Sequence, residues 1–174
     1  GLKKVVARKR FLSLEQRLHR RYEKVDRVIR NNTNITRLYG VGKCELDLEN
    51  DPYYDGQKTL YIISDYVDGG SIEYKTEDGK YAIRDDITQK DIYPIYQNIL
   101  NGIEEFHKAD LIIKDLKLRN ILCSFDHKTV LIDDLETVSH INDIQEGLRH
   151  TQHTERYMAP EVIIDPKNYS KKSD

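Results

Sequence analysis

Two short apolar runs, Ile121-Leu122-Cys123-Ser124 and Thr129-Val130-Leu131-Ile132, are parted by Phe125-Asp126-His127-Lys128. Such runs around a polar break predict a β-hairpin. Asp115-Leu116-Lys117-Leu118-Arg119-Asn120 stands before it and Asp133 directly after it. A carboxylate, a cation, an amide and a second carboxylate therefore converge on one rim. Few structural needs bunch such groups at one end of a hairpin, so the rim is where chemistry is expected.

The rest of the chain reads as a frame for that hairpin. Thr88 followed by Asp91 has the spacing of a capping box, and Ile92, Ile95, Tyr96, Ile99, Ile103 and Phe106 then keep one apolar face up to His107. That pattern predicts a helix. Thr59 to Val67 is β-branched and aromatic and is stopped by Asp68-Gly69-Gly70, which predicts a buried strand entering a turn. Ile35 to Val41 is expected to be extended, 47–58 to be a polar loop joining two strands, and 73–86 to be a second polar stretch. Leu14, Leu18, Tyr22, Val25 and Ile29 recur at helical steps between charges. Residues 1–30 hold eleven Lys/Arg against three acids. The spacing makes this stripe the solvated face of a helix, and only Phe11 and Tyr22 are interleaved as stacking groups, so nucleic acid is not an expected partner.

Composition removes other classes. A chain of 174 residues buries roughly 70% of its unfolded surface, enough for a core without disulfide or metal staples. Cys44 and Cys123 lack CxxC or Cys/His partners, which fits a reducing, intracellular and cytoplasmic setting. No apolar run approaches the roughly 18 residues of a membrane span. His150-Thr151-Gln152-His153 lacks a third ligand and reads as a solvated loop rather than a metal pair.

With these residues in view, Ile113-Lys114-Asp115-Leu116-Lys117-Leu118-Arg119-Asn120 resembles the catalytic loop of eukaryotic-type protein kinases, usually written HRDLxxxN. Asp133 falls where the family's magnesium-binding DFG aspartate stands. Val6-Ala7-Arg8-Lys9 resembles the VAIK strand, Tyr66-Val67-Asp68-Gly69-Gly70 the hinge, and Tyr157-Met158-Ala159-Pro160-Glu161 the APE segment, all in the family's order. The resemblance implies an α+β, bilobal protein kinase-like fold truncated at both ends, since a complete one needs roughly 250 residues. Residues 1–174 then form a partial kinase domain, with 1–67 the small-lobe portion and hinge start. Residues 68–174 are the large-lobe portion with catalytic loop and activation segment.

Carried over residue by residue, the resemblance implies ATP and Mg2+ as cofactors. Lys9 would pair the α/β-phosphates and be held by Glu23, with Glu15 the weaker choice. Ser64 would be the gatekeeper, and Asp65 to Val67 would hold adenine through their backbone. Asp115 would be the catalytic base, Lys117 the cation beside the transferred group, and Asn120 with Asp133 the magnesium ligands. Lys117 together with Thr154 resembles the Ser/Thr-directed pattern, so the expected partners are ATP, protein substrates with Ser/Thr hydroxyls and regulatory proteins. Thr137, Ser139, Thr151 and Thr154 are candidate phosphorylation sites that Lys114 would face.

Three positions depart from the family's pattern: Ile113 replaces the HRD histidine, Asp134 the DFG phenylalanine and Leu135 its glycine. A carboxylate entering the apolar column that links the lobes costs several kcal/mol. The column is therefore expected to be altered, and Leu135 to restrict the loop. Two alternatives follow. A pseudokinase would use the same fold as a binding or allosteric module. A small-molecule phosphotransferase would use Glu136 beside its metal site, although Ala159-Pro160-Glu161 argues against it.

Overall fold

The computed structural model describes residues 5–10, 25, 32–44, 59–145 and 154–174. Strands β1 (Val5–Arg10), β2 (Leu38–Cys44) and β3 (Thr59–Asp65) form an antiparallel sheet in the order β1-β3-β2. β3 is central, as suits the chain's densest β-forming run. Lys9 pairs with Tyr61 and Val5 with Asp65, so the strand carrying Lys9 lies beside the one that ends at Ser64 and Asp65. The expected first helix falls outside the described residues apart from Val25, which is helical and 2% exposed. Glu15, Glu23 and the expected loop at 47–58 fall outside them as well.

Beyond β3, Gly70 N–H donates to Val67 O at 3.0 Å and Gly70 has φ +65°, closing the turn expected at Asp68-Gly69-Gly70. The stretch expected to be simply polar is instead a hairpin of β4 (Glu73–Lys75) and β5 (Tyr81–Ile83). Tyr74, Tyr81 and Ile83 are good strand formers, and Gly79 takes φ +83° in the turn between them. The charged residues around them mask that signal, but Asp78-Gly79 between two β-forming triplets is a hairpin cue.

Helix α1 (Gln89–Lys108) begins as expected, with the Thr88 N–H and hydroxyl both donating to the Asp91 carboxylate at 2.9 and 2.6 Å. Its buried stripe of Ile95, Ile99, Gly102 and Phe106 packs on a hairpin of β7 (Ile121–Cys123) and β8 (Val130–Ile132), in register Ile121↔Ile132. Gly102 is required there: a Cβ would sit 2.8 Å from Ile132 Cδ1 and 3.1 Å from Asn34 O. The same core takes in Ile35, which bridges in parallel to Ile132 and so joins the chain before β2 to the hairpin. Each side chain of this kind contributes about 1.5–3 kcal/mol when fully buried.

β6 (Leu111–Ile112) pairs with β9 (Ser139–His140), and short helices α2 (Ile141–Gln145) and α3 (Pro160–Ile164) follow. Ile112, Ile144, Val162 and Tyr169 make a second core that fastens the Ala159-Pro160-Glu161 segment beneath the loop at 113–120. Helices and antiparallel strands thus combine in the expected α+β arrangement, with the open end of the β7–β8 hairpin directed at that loop.

Candidate active site

The loop's geometry starts from its backbone. Lys114 has φ +70°, a conformation that a lysine adopts only when neighbours hold it. They do so at every side. The carboxylate of Asp174, 1% exposed, accepts from Ile113 N–H and Lys114 N–H at 2.9 Å each and also lies 3.0 Å from His107 Nε2. Tyr169 OH donates to Lys114 O at 3.1 Å, and Thr137 Oγ1 donates to Ile113 O at 2.7 Å. Burial, followed by the nearby charges of Asp174 and Asp115, pushes the Tyr169 phenol up to about 12. Sequence reading did not assign Asp174, Tyr169 or His107 a role at the site. Their partners lie up to 67 residues away in the chain, and no local spacing marks them.

On this scaffold Asp115, 9% exposed, meets Lys117 and Thr154. Lys117 Nζ is paired with Asp115 Oδ2 and donates to Thr154 Oγ1 at 3.0 Å, while Thr154 N–H donates to Asp115 Oδ1 at 3.2 Å. A residue 39 positions downstream therefore orients the carboxylate. Asn120, 7% exposed, gives its Nδ2 to Asp115 O at 3.0 Å, which leaves the amide oxygen as its donor atom toward a cation. Asp133 N–H donates to Asn120 O at 2.7 Å, so the hairpin register brings these two expected ligands to the same end.

At the departures from the family's pattern the structure gives a specific answer. The expected disruption of the apolar column by residue 134 does not occur, because Leu135 is the residue that enters the core. It is 3% exposed and shares a cluster with Ile113, Phe106 and Ile132. Asp134 is left at the surface of that core with φ +60° and ψ +60°. The positive φ thus falls on an aspartate, which tolerates it better than most side chains, and Leu135 needs no glycine-like freedom.

Around the hinge, Ser64 is 4% exposed and its hydroxyl has no hydrogen-bond partner among the described residues. Asp65 uses its carboxylate to fasten β3 to β2, accepting from Arg37 N–H at 2.8 Å and Tyr39 OH at 2.7 Å. Its side chain is therefore structural. Val67 is 7% exposed, and its N–H has no acceptor among the described residues. Val67, Leu122 and Leu131 form a small apolar cluster of their own. A backbone donor with no acceptor among the described residues, on a residue of an apolar cluster, suits a planar heterocycle such as adenine. The carboxylates and amide oxygen at the hairpin's end are hard oxygen donors of the kind magnesium takes. The residues present thus fit both groups. Lys9 is placed in β1 by its backbone, whereas Glu23 lies outside the described residues.

The rim also contains residues absent from the expected set. Arg119 stacks on Tyr81 at 4.5 Å, donates to its hydroxyl at 2.6 Å and lies 3.7 Å from Glu73, which accepts from Tyr157 OH at 3.3 Å. The β4–β5 hairpin is in this way bolted to both the loop at 113–120 and the segment preceding Ala159. No helix among the described residues is long and apolar enough to cross a membrane.

Comparison with known proteins agrees with this arrangement. The protein kinase domain family matches residues 2–174. The chain is 32% identical over 115 residues to the serine/threonine-protein kinase ste20 of Aspergillus fumigatus, covering 66% of this chain and 13% of that protein. It is 31% identical over 136 residues to the serine/threonine-protein kinase sck1 of Schizosaccharomyces pombe, covering 73% and 18%. It is 27% identical over 154 residues to the mitogen-activated protein kinase kinase kinase mom-4 of Caenorhabditis briggsae, covering 88% and 25%. The chain belongs to the protein kinase family. It spans a quarter or less of the length of these relatives.

Proposed function

We propose that this domain transfers the γ-phosphate of ATP to Ser/Thr hydroxyls of protein substrates. The observation that carries the reading is the closed Asp115–Lys117–Thr154 triangle, in which one carboxylate is oriented by a cation and by a backbone N–H of the distant segment. Asp115 accepts the proton of the attacking hydroxyl as the new O–P bond forms and the bond from the γ-phosphorus to the bridging oxygen breaks, releasing ADP, a contribution typically of about 10²–10⁴-fold. Lys117 offsets negative charge at the transferred group. Val67 N–H and the Leu122–Leu131 floor orient the base, and the backbone position of Lys9 suits contact with the α/β-phosphates. Asn120 and an aspartate of the Asp133–Asp134 pair would hold magnesium, which when bound would supply positive charge against the phosphate oxygens.

Asn120 is one proposed magnesium ligand and an aspartate of the Asp133–Asp134 pair is the other. By sequence spacing that aspartate is Asp133. Two observations favour Asp134: Leu135, directly after it, fills the apolar column, and Asp133 still belongs to the hairpin ladder through its N–H. Calorimetric titration of the Mg2+ dependence of nucleotide binding separates them. Asp134→Asn is expected to abolish the Mg2+-dependent gain in affinity and Asp133→Asn to leave most of it, and the reverse result returns the role to Asp133. The function itself is tested by Mg2+-dependent phosphate transfer from ATP to a generic Ser/Thr protein, with the chain in its natural full-length context and Asp115→Asn as control. Transfer lost in the control supports the kinase. A folded protein with no transfer supports the pseudokinase reading, in which the same fold acts as a binding or allosteric module.

A further inference from the structure

At the end of the β7–β8 hairpin remote from the active site, His127 sits between two carboxylates. Its Nε2 is 3.1 Å from Asp86 Oδ2 and its Nδ1 is 3.2 Å from Asp91 Oδ1. Asp86 follows β5, Asp91 is the capping residue of α1, and His127 belongs to the turn between β7 and β8. The imidazole is thus the common point of three elements distant in sequence. Neutral imidazole has one N–H and can donate to only one of two carboxylates, whereas imidazolium donates to both. In the neutral form the second contact sets a ring lone pair against a carboxylate at close range.

We propose that His127 is a proton-operated clasp: as imidazolium it ties the segment after β5 and the start of α1 to the β7–β8 turn, and as neutral imidazole it lets go of one of them. The surroundings allow such a release. Asp86 keeps the Arg84 guanidinium, with Nε donating to Oδ1 at 2.9 Å, and Asp91 keeps the Thr88 N–H and hydroxyl. Neither carboxylate is stranded when the histidine leaves. The side chain is 18% exposed, so solvent protons reach it. His127 also has φ +57°, which the contacts of its ring help to hold.

Every neighbouring element contributes charge to the clasp. Arg84 faces it from the β5 side and opposes the imidazolium, while Asp86 and Asp91 favour it. Asp126 and Lys128 in the same turn pair with each other at 3.7 Å, Asp68 accepts from Phe125 N–H at 3.1 Å, and the Cys123 thiol beneath is pushed up by burial. The net effect holds His127 above its ordinary value, chiefly through the hydrogen bond with Asp86. Arg84 also donates to Gly69 O at 2.8 Å and to Cys123 O, so the clasp belongs to the joint between the hinge exit and the hairpin that carries Asn120 and Asp133.

A histidine raised on folding contributes stability that is complete below about pH 6.5 and disappears as pH rises through its folded value. The depressed carboxyls of Asp86 and Asp91 act in the opposite sense, their contribution being lost as pH falls through their folded values. The clasp is accordingly strongest in mildly acidic solution. The test compares thermal unfolding of the whole chain with that of His127→Asn, whose side chain accepts positive φ, from pH 5.5 to 9. The wild type is expected to melt about 2–4 °C higher at pH 6, and the gap is expected to close by pH 9. A gap that stays constant across this range overturns the proposal. In the wild type alone, NMR titration of the His127 ring is expected to show a midpoint above 6.5. A midpoint at or below 6.5 overturns the proposal even where the variant fails to fold.

Discussion

The two ends of the β7–β8 hairpin solve the same problem by different physics. At the base, near Asn120 and Asp133, the backbone at Lys114 is held in positive φ by the buried carboxylate of Asp174, the buried Tyr169 and the half-buried Thr137, all acting through hydrogen bonds to backbone. At the tip, the positive φ of His127 is accompanied by charge pairs that are partly open to water, Asp86 being 36% exposed. Partly exposed charge pairs are screened by solvent, and one built on a histidine changes with the proton on its ring, whereas buried carboxylate-to-backbone bonds fix geometry. The base therefore suits catalysis, which needs fixed positions. The tip suits adjustment.

If the base is the catalytic end, removing its base group has the largest effect of all. Asp115→Asn is expected to lower phosphate transfer by about 10²–10⁴-fold and to lower the thermal midpoint without abolishing folding, because Lys117 loses its anionic partner while the amide keeps the size of the carboxylate. A steady-state assay beside a melting curve checks both halves of this statement. Loss of the fold together with activity would show that Asp115 is structural and would erase the contrast between the two ends.

Asp174→Ala tests what holds the base. It removes the acceptor of the Ile113 and Lys114 N–H groups, both on buried residues. At about 1–3 kcal/mol per stranded donor, the expected loss for two is about 2–6 kcal/mol in urea unfolding, with activity falling as Asp115 loses its platform. At the tip, Arg84→Met removes the donor to Gly69 O and Cys123 O and the partner of Asp86. Asp86 can turn to solvent, so the expected loss is smaller, about 1–3 kcal/mol. The Arg84 guanidinium holds the Asp86 carboxyl well below the usual carboxylate range. In the variant that carboxyl returns toward its ordinary value, and acid unfolding is expected to begin at higher pH than in the wild type.

The contrast between the ends also explains what could be read from the sequence. The β7–β8 hairpin, α1 with its capping box and the Asp115 to Asn120 loop were legible, because short-range spacing determines them. The β4–β5 hairpin was obscured by Glu77, Asp78, Lys80 and Arg84, whose charges hide Tyr74, Tyr81 and Ile83. The Asp134-Leu135 arrangement was misjudged from position counting, since which residue enters the core depends on where the β8 ladder ends, and that is a matter of pairing. The roles of Asp174 and Tyr169 at the loop, and the His127 clasp, were not legible. Each acts on residues more than 35 positions away, and a lone histidine or tyrosine carries no mark of such a partner.

The smallest expected effect gives the finest test of how rigid the base is. Tyr169→Phe removes one buried hydrogen bond, from Tyr169 OH to Lys114 O. About 0.5–1.5 kcal/mol is the usual net worth of such a bond, and the ring still fills its place beside Ile112 and Val162. The pH dependence has a definite sign. The phenol is an acid whose folded value is raised to about 12 from an ordinary value near 10, so the folded state binds the proton more tightly than the unfolded one. Its contribution is complete below pH 10 and shrinks as pH rises from there toward 12. Urea unfolding of wild type and variant at pH 7 and again above pH 10 is expected to show the gap narrowing only in the alkaline range. A gap that already narrows below pH 9 instead would mean that the base, like the tip, responds to a proton in the range where phenols stay neutral, and the division between a fixed end and an adjustable end would fail.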